Sequence, residues 1–122
     1  MKLRFRANSL RLRVDRREVA GLAAGTPIEE QVDFPGEGRI CYVLEGTPSG
    51  APRASFHNSV IRVSAPEEQI REWARSDLIG IYFELPANGT LLKVAIEKDL
   101  ECLEGAEEER EPNAFPRAGR NC

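Results

Sequence analysis

The 122-residue chain sets 17 Lys and Arg against 20 Asp and Glu, a net charge of −3, and is 41% hydrophobic and 30% charged. That balance fits one globular domain able to bury a core without metal or disulfide staples, and it argues against wholesale disorder. No apolar run reaches the roughly 18 residues of a membrane-spanning helix, and the basic N-terminus lacks the apolar stretch of a signal peptide. A cytoplasmic location with no membrane partner is therefore the expectation.

The opening MKLRFRANSLRLRV alternates cations with apolar residues, the pattern of a half-buried hairpin. With Asn8-Ser9 as the turn, Ala7, Phe5 and Leu3 face Leu10, Leu12 and Val14 on one side. The other side carries Arg6–Arg11, Arg4–Arg13 and Lys2–Asp15. Like charges directly opposite are destabilising, so this face requires nearby anions. In DRREVAGLAAG, Asp15 is placed to cap a helix with Glu18 as its reciprocal partner, Val19, Leu22 and Ala23 form the apolar stripe, and Gly25 ends the helix. IEEQVDF alternates again, with Ile28, Val32 and Phe34 expected inward and Glu29, Gln31 and Asp33 outward. After the PGEG turn, RICYVLE is apolar on both faces and reads as a more buried strand.

SGAPR then connects to a second half that repeats the first at an offset of 51 residues, aligning Phe5 with Phe56, Arg11 with Arg62, Ala23 with Ala74 and Pro35 with Pro86. FHNSVIRV is a hairpin around Asn58-Ser59, with Phe56 facing Ile61 and Ala54 facing Val63. SAPEEQIREWARS is a helix with Ile70, Trp73 and Ala74 as its stripe. IGIYFELPANGTLLKVAIE turns at Asn88-Gly89, a strong hairpin signal, which sets Glu84 on Lys93, Phe83 on Val94 and Ile81 on Ile96. The expected architecture is α+β: eight mostly antiparallel strands and two helices, an internal duplication of a ββαββ unit (residues 2–46 and 53–97), and a sandwich or barrel-like sheet. The domain spans 1–102, and 103–122 form an acidic flexible tail with Phe115 as its one apolar anchor.

Catalytic constellations are scarce. His57 is the only histidine and falls beside a turn, and no nucleophile–base pair is apparent. Cys41, Cys102 and Cys122 lack the spacing of a zinc site, so neither metal nor cofactor is expected. The chemistry-bearing feature is the arginine row. Arg4, Arg6, Arg11 and Arg13, with Arg62 from the repeat, could hold an anionic ligand through bidentate guanidinium contacts.

Were the strands to curl into a barrel with these arginines inside, the chain would resemble the triphosphate-tunnel phosphohydrolases of the CYTH-like fold. That resemblance implies Glu97 and Asp99, in IEKDLE, as metal-holding acids. The chain departs from that family: it reads Lys-Leu-Arg-Phe-Arg where the family has Glu-x-Glu-x-Lys, and it is short. The favoured expectation is intramolecular, with the cations beside Glu29, Gln31 and Asp33 of the next strand and Glu97 and Asp99 of the last. A nucleic-acid surface ranks below it, because no aromatic residue is interleaved with the arginines and the whole chain is acidic.

The opening MKLRFRANSLRLRV with the closing VAIEKDLECLE and NAFP resembles a family of small uncharacterised bacterial proteins, over nearly the whole chain. That family has no assigned activity, so the resemblance implies a stand-alone bacterial protein and no site residues. The resulting expectation is a small cytoplasmic binding or scaffold module without catalysis, with homodimerisation through an edge strand as a further one. The opposed charges of the two ends, seven cations and one acid in residues 1–17 against eight acids and two cations in 97–111, add a last one: that the acidic segment screens the basic hairpin.

Overall fold

A computed structural model describes residues 1–48, 50–100 and 115. The order is β1 (Lys2–Arg6), β2 (Ser9–Val14), α1 (Arg16–Ala23), β3 (Ile28–Asp33), β4 (Arg39–Thr47), β5 (Arg53–His57), β6 (Val60–Pro66), α2 (Glu67–Arg75), β7 (Gly80–Ala87) and β8 (Thr90–Lys98). The α+β class holds, with eight strands and two helices. The expected 103–122 tail lies outside the described residues, Phe115 apart, as do Cys102 and Cys122.

The strands form two four-stranded sheets, β1-β2-β8-β7 and β3-β4-β6-β5, and neither closes on itself. Each sheet joins a hairpin from one half of the chain to a hairpin from the other. The hairpins are antiparallel, but the central pairs β2/β8 and β4/β6 are parallel, so both sheets are mixed. Both contribute to one apolar cluster, with Leu12 and Val14 of β2, Leu44 of β4, Val63 of β6 and Ile96 of β8 almost wholly buried. The helices follow β2 and β6, pack on each other and cover the end of the molecule where the central strands finish. Val19, Leu22, Ile70 and Trp73 point from them into the cluster.

The first helix is capped as its sequence dictates. Asp15 Oδ1 accepts from the Glu18 amide at 2.8 Å, and Glu18 Oε1 accepts from the Asp15 amide at 2.9 Å. Its partner α2 starts at Pro66 without a side-chain cap and relies on packing. Trp73 is 1% exposed and donates its indole N–H to the Ile79 carbonyl at 2.8 Å.

Two local expectations are corrected. The first hairpin turns at Ala7-Asn8, pairing Arg6 with Ser9, Phe5 with Leu10 and Leu3 with Leu12. The apolar face is unchanged, but the cation pairs become Arg4–Arg11 and Lys2–Arg13. Ser9 Oγ closes this turn onto the Arg6 carbonyl, and Asn8 Nδ2 ties it to the Leu91 carbonyl. Together these offset the strain of Ala7 at φ +48°, roughly 1–2 kcal/mol for a residue with a Cβ. The second correction is in β3. Ile28 is half-buried, but Val32 and Phe34 are exposed, and Glu30 shares their side of the strand. Val32 pairs with Ile40 at the end of the molecule the helices leave open, so nothing covers it. Glu30 instead meets the Met1 ammonium at 2.7 Å, which also contacts Glu18 at 2.6 Å.

Equivalent positions in the two sheets follow from strand pairing. Arg11 and Arg62, 51 residues apart, hold the same place in β2 and β6. Ile28 faces Leu44 as Ile81 faces Ile96. The second hairpins therefore correspond at offsets of 53 and 52, and the ungapped offset of 51, with its pairing of Pro35 and Pro86, does not extend to them.

Candidate functional site

Side chains alternate along a strand, so the outer face of β1-β2-β8-β7 can be read row by row from the register. Its first row is Arg6, Ser9, Lys93 and Glu84, its second Arg4, Arg11, Ala95 and Tyr82, and its third Lys2, Arg13, Glu97 and Gly80. Six cations thus share one open face with two carboxylates, Glu84 and Glu97, and Asp99 lies just beyond the end of β8. The hairpin pattern put Arg4, Arg6, Arg11 and Arg13 together, and they are together. Arg62 is not with them: it belongs to the other sheet, where it pairs with Glu45 at 2.9 Å.

Glu97 organises this face. It accepts from the Tyr82 hydroxyl at 2.7 Å and lies 3.1 Å from Arg11 Nε and 3.9 Å from Arg13 Nε. Lys2 pairs with Asp99 at 2.7 Å. The acids of the last strand therefore meet the cations, as expected. Those of β3 do not, because β3 lies in the second sheet, where Asp33 takes Arg39 instead. Glu97 and Asp99, the acids assigned to metal under the phosphohydrolase resemblance, are both occupied by basic or hydroxyl partners. Burial raises the Tyr82 phenol above its ordinary pKa, and the hydrogen bond to Glu97 with its charge adds to this, against an opposing effect of Arg11.

Tyr82 is the residue the sequence reading passed over. It comes from β7, near the far end of the chain, and only the sheet order shows that it shares a row with Arg4 and Arg11. Gly80 makes its pose available. A Cβ built on Gly80 would come within 2.7 Å of Tyr82 Oη and 2.8 Å of Cζ, so the ring lies over bare backbone. The residue stays 59% exposed. One side of the ring rests on the strand and the other faces solvent.

A second concavity opens between the sheets at the end opposite the helices. Its volume is about 370 Å³, and its walls come in equivalent pairs: Phe5 with Phe56, Leu10 with Ile61, and Ile40 with Leu92. Phe5 and Phe56 are 63% and 68% exposed, so the cleft is apolar and accessible. His57 sits beside the β5/β6 turn and is exposed. Among the described residues no group of three or more His, Cys, Asp and Glu side chains is arranged to hold a metal ion, and no helix is long and apolar enough to cross a membrane.

Residues 1–118 match the model of a family of unknown function (DUF7009). The chain belongs to that family. The match takes in every described residue. No curated protein and no solved structure matches the chain.

Proposed function

We propose that this protein is a small binding module, without catalysis of its own, whose working surface is the outer face of β1-β2-β8-β7 and whose ligand is anionic. The observation that carries this is the collection of Lys2, Arg4, Arg6, Arg11, Arg13 and Lys93 on one open sheet face. Arg11 and Arg13 both approach Glu97 in partly exposed ion pairs, and pairs open to solvent on one side contribute only about 1 kcal/mol each. A multivalent anion can displace or bridge such pairs at little cost.

Thermal melts with pyrophosphate, tripolyphosphate, nucleotides and heparin test this. A ligand at a hundred times its Kd should stabilise the chain by about 2.7 kcal/mol. Arg4→Ala with Arg13→Ala should remove that gain, and no stabilisation by any of these anions would overturn the proposal. Phosphate release from tripolyphosphate with Mg²⁺ would instead favour the phosphohydrolase alternative, which needs the arginines enclosed where both sheets here are open.

A second reading is favoured by the cleft between Phe5 and Phe56, whose volume suits a small apolar ligand. Binding of an apolar fluorescent probe that Phe5→Ala with Phe56→Ala abolishes would support it. We also infer that the two ββαββ halves arose by duplication. Supporting this are the repeated element order, the matched walls of the cleft and the equivalent places of Arg11 and Arg62. A bacterial, cytoplasmic setting completes the proposal.

A further inference from the structure

We propose that the arginine face takes single-stranded nucleic acid, with backbone phosphates on Arg4, Arg6, Arg11 and Arg13 and a base stacked on Tyr82; this rests on the anion-binding reading and names its ligand. The argument is the second row of the face. Arg4, Arg11, Ala95 and Tyr82 lie side by side on four adjacent strands, spanning about 14 Å at the usual strand spacing. Ala95 is the smallest side chain in that row and lies between two large ones. A short side chain thus separates Arg11 from Tyr82, with Lys93 and Glu97 before and after it on the same face of β8.

A phosphate-binding row that ends in an aromatic ring is the arrangement single-stranded binders use. Cations track the backbone, and a ring takes a base by stacking, which every base allows. The ring is fixed for that role before any ligand arrives. Its hydroxyl is held by Glu97, its underside rests on Gly80, and its outer side is open. A duplex presents phosphates but no free base plane at its side, so it would engage the arginines without the ring. A membrane surface is disfavoured because six cations surround Tyr82 on this face, and the other large apolar group described there, Leu91 with its partner Pro86, lies apart at the edge beyond Lys93 and Glu84.

The test is fluorescence anisotropy of the full chain with a labelled oligo(dT) or oligo(U) of about ten nucleotides at low salt. An unlabelled duplex and long-chain polyphosphate serve as competitors. Binding to the single strand is expected. Its logarithm should fall linearly with log salt, and Arg4→Ala with Arg6→Ala should shallow that slope by about 1.4. Tyr82→Leu, which keeps an apolar cover on Gly80, should weaken oligonucleotide binding about fivefold to a hundredfold and leave polyphosphate binding unchanged. Tyr82→Phe should stay close to the parent, since it keeps the ring. Thermal melts of each variant establish that it is folded.

If polyphosphate binds but the oligonucleotide does not, the nucleic-acid proposal falls and the anion reading stands. The same holds if Tyr82→Leu weakens both ligands equally, or if the duplex competes as well as the single strand. If neither polyanion binds, both fall.

Discussion

The outer faces of the two sheets are built on the same strand plan and carry different chemistry. In each, a glutamate on one central strand takes an arginine from the other: Glu97 of β8 takes Arg11 of β2, and Glu45 of β4 takes Arg62 of β6. Around that common pair the faces diverge. Where the first sheet has Arg4, Arg6 and Arg13, the second has Ser55, His57 and Ser64, and where the first has Tyr82 the second has Glu29. Ser64 hydrogen-bonds Glu45 from the place where Arg13 reaches towards Glu97. The second face is close to neutral, with Glu29, Asp33 and Glu45 against Arg39, Arg53 and Arg62. Each face thus keeps an arginine–glutamate pair at the same place. The first face sets six cations against the carboxylates of Glu84 and Glu97, and that charge imbalance is the basis for assigning it a ligand.

If that is right, the halves should be alike inside and unlike outside, and the inside carries the largest effect. Leu22 and Trp73 hold equivalent places under α1 and α2, both almost fully buried. Trp73→Ala should cost about 3–5 kcal/mol and Leu22→Ala about 2–5 kcal/mol in denaturant melts. The tryptophan loss also removes one of two donors to the Ile79 carbonyl, the Lys98 amide remaining at 2.9 Å. A near-neutral Trp73→Ala would mean that the second helix does not close the core as the first does, and the likeness of the halves would fail.

Outside, the sharpest experiment rewrites one face in the residues of the other. Replacing Arg4→Ser, Arg6→His and Arg13→Ser together should change stability by only about 0.5 kcal/mol at each of the exposed Arg4 and Arg6, and by about 1 kcal/mol at Arg13, which is half-buried beside Glu97. Heparin affinity at low salt should fall at least about tenfold. Arg53→Ala with Arg62→Ala on the second sheet should leave heparin affinity where it was. Equal losses from both faces would erase the distinction drawn here.

The halves also differ at one inner position. Glu30 of β3 and Phe83 of β7 are equivalent by register, the first opposite Tyr42 and the second opposite Val94. Phe83 packs against the core, whereas Glu30 and Glu18 hold the Met1 ammonium. Desolvation alone would lower the pKa of that ammonium, but the hydrogen bonds to Glu18 and Glu30 and their charges outweigh it and raise the value above 8.0. A raised folded-state pKa gives stability that is complete below the unfolded value and lost as pH climbs through the folded one. Unfolding free energy should therefore decline from about pH 8 upward, and chemical acetylation of the N-terminus should flatten that decline. A Glu30→Gln variant with an unchanged profile would show that the contact does not hold.

What could be read from the sequence was local. The Asp15–Glu18 capping box and the Asn88-Gly89 hairpin are set by residues a few positions apart, and both are found as expected. The alternation in the first hairpin gave the correct arginine face even with the turn misplaced, because a two-residue shift keeps each side chain on its side. The shift itself could have been caught: Asn58-Ser59 stands 51 residues beyond Ala7-Asn8, so the second half names the turn of the first. What stayed hidden was non-local. Alternation alone could not show that Val32 and Phe34 lie at the uncovered end, that the hairpins pair across halves through parallel strands, or that Arg62 faces away on another sheet. Tyr82 joins the arginines only through the order β1-β2-β8-β7, which no short stretch encodes.

The smallest effect concerns the acidic segment that follows β8, and it bears on how strongly the two faces differ in the whole protein. Residues 104–122 carry Glu104, Glu107, Glu108, Glu109 and Glu111 against Arg110, Arg117 and Arg120. In sequence these acids follow β8, the strand that already brings Glu97 and Asp99 to the cations. We predict that they compete with an external polyanion there. Removing 104–122 should tighten heparin binding a few-fold at low salt, and the gain should disappear as salt rises, because exposed charges are screened over about 8–10 Å. Arg4→Ala with Arg13→Ala in the shortened chain should cancel the gain, whereas Arg62→Ala should not, since it lies on the opposite sheet. Unchanged low-salt affinity after truncation would show that Glu97, Asp99 and Glu84 provide the face with all its intramolecular counter-charge. The contrast between the two sheets would then belong to the folded domain alone.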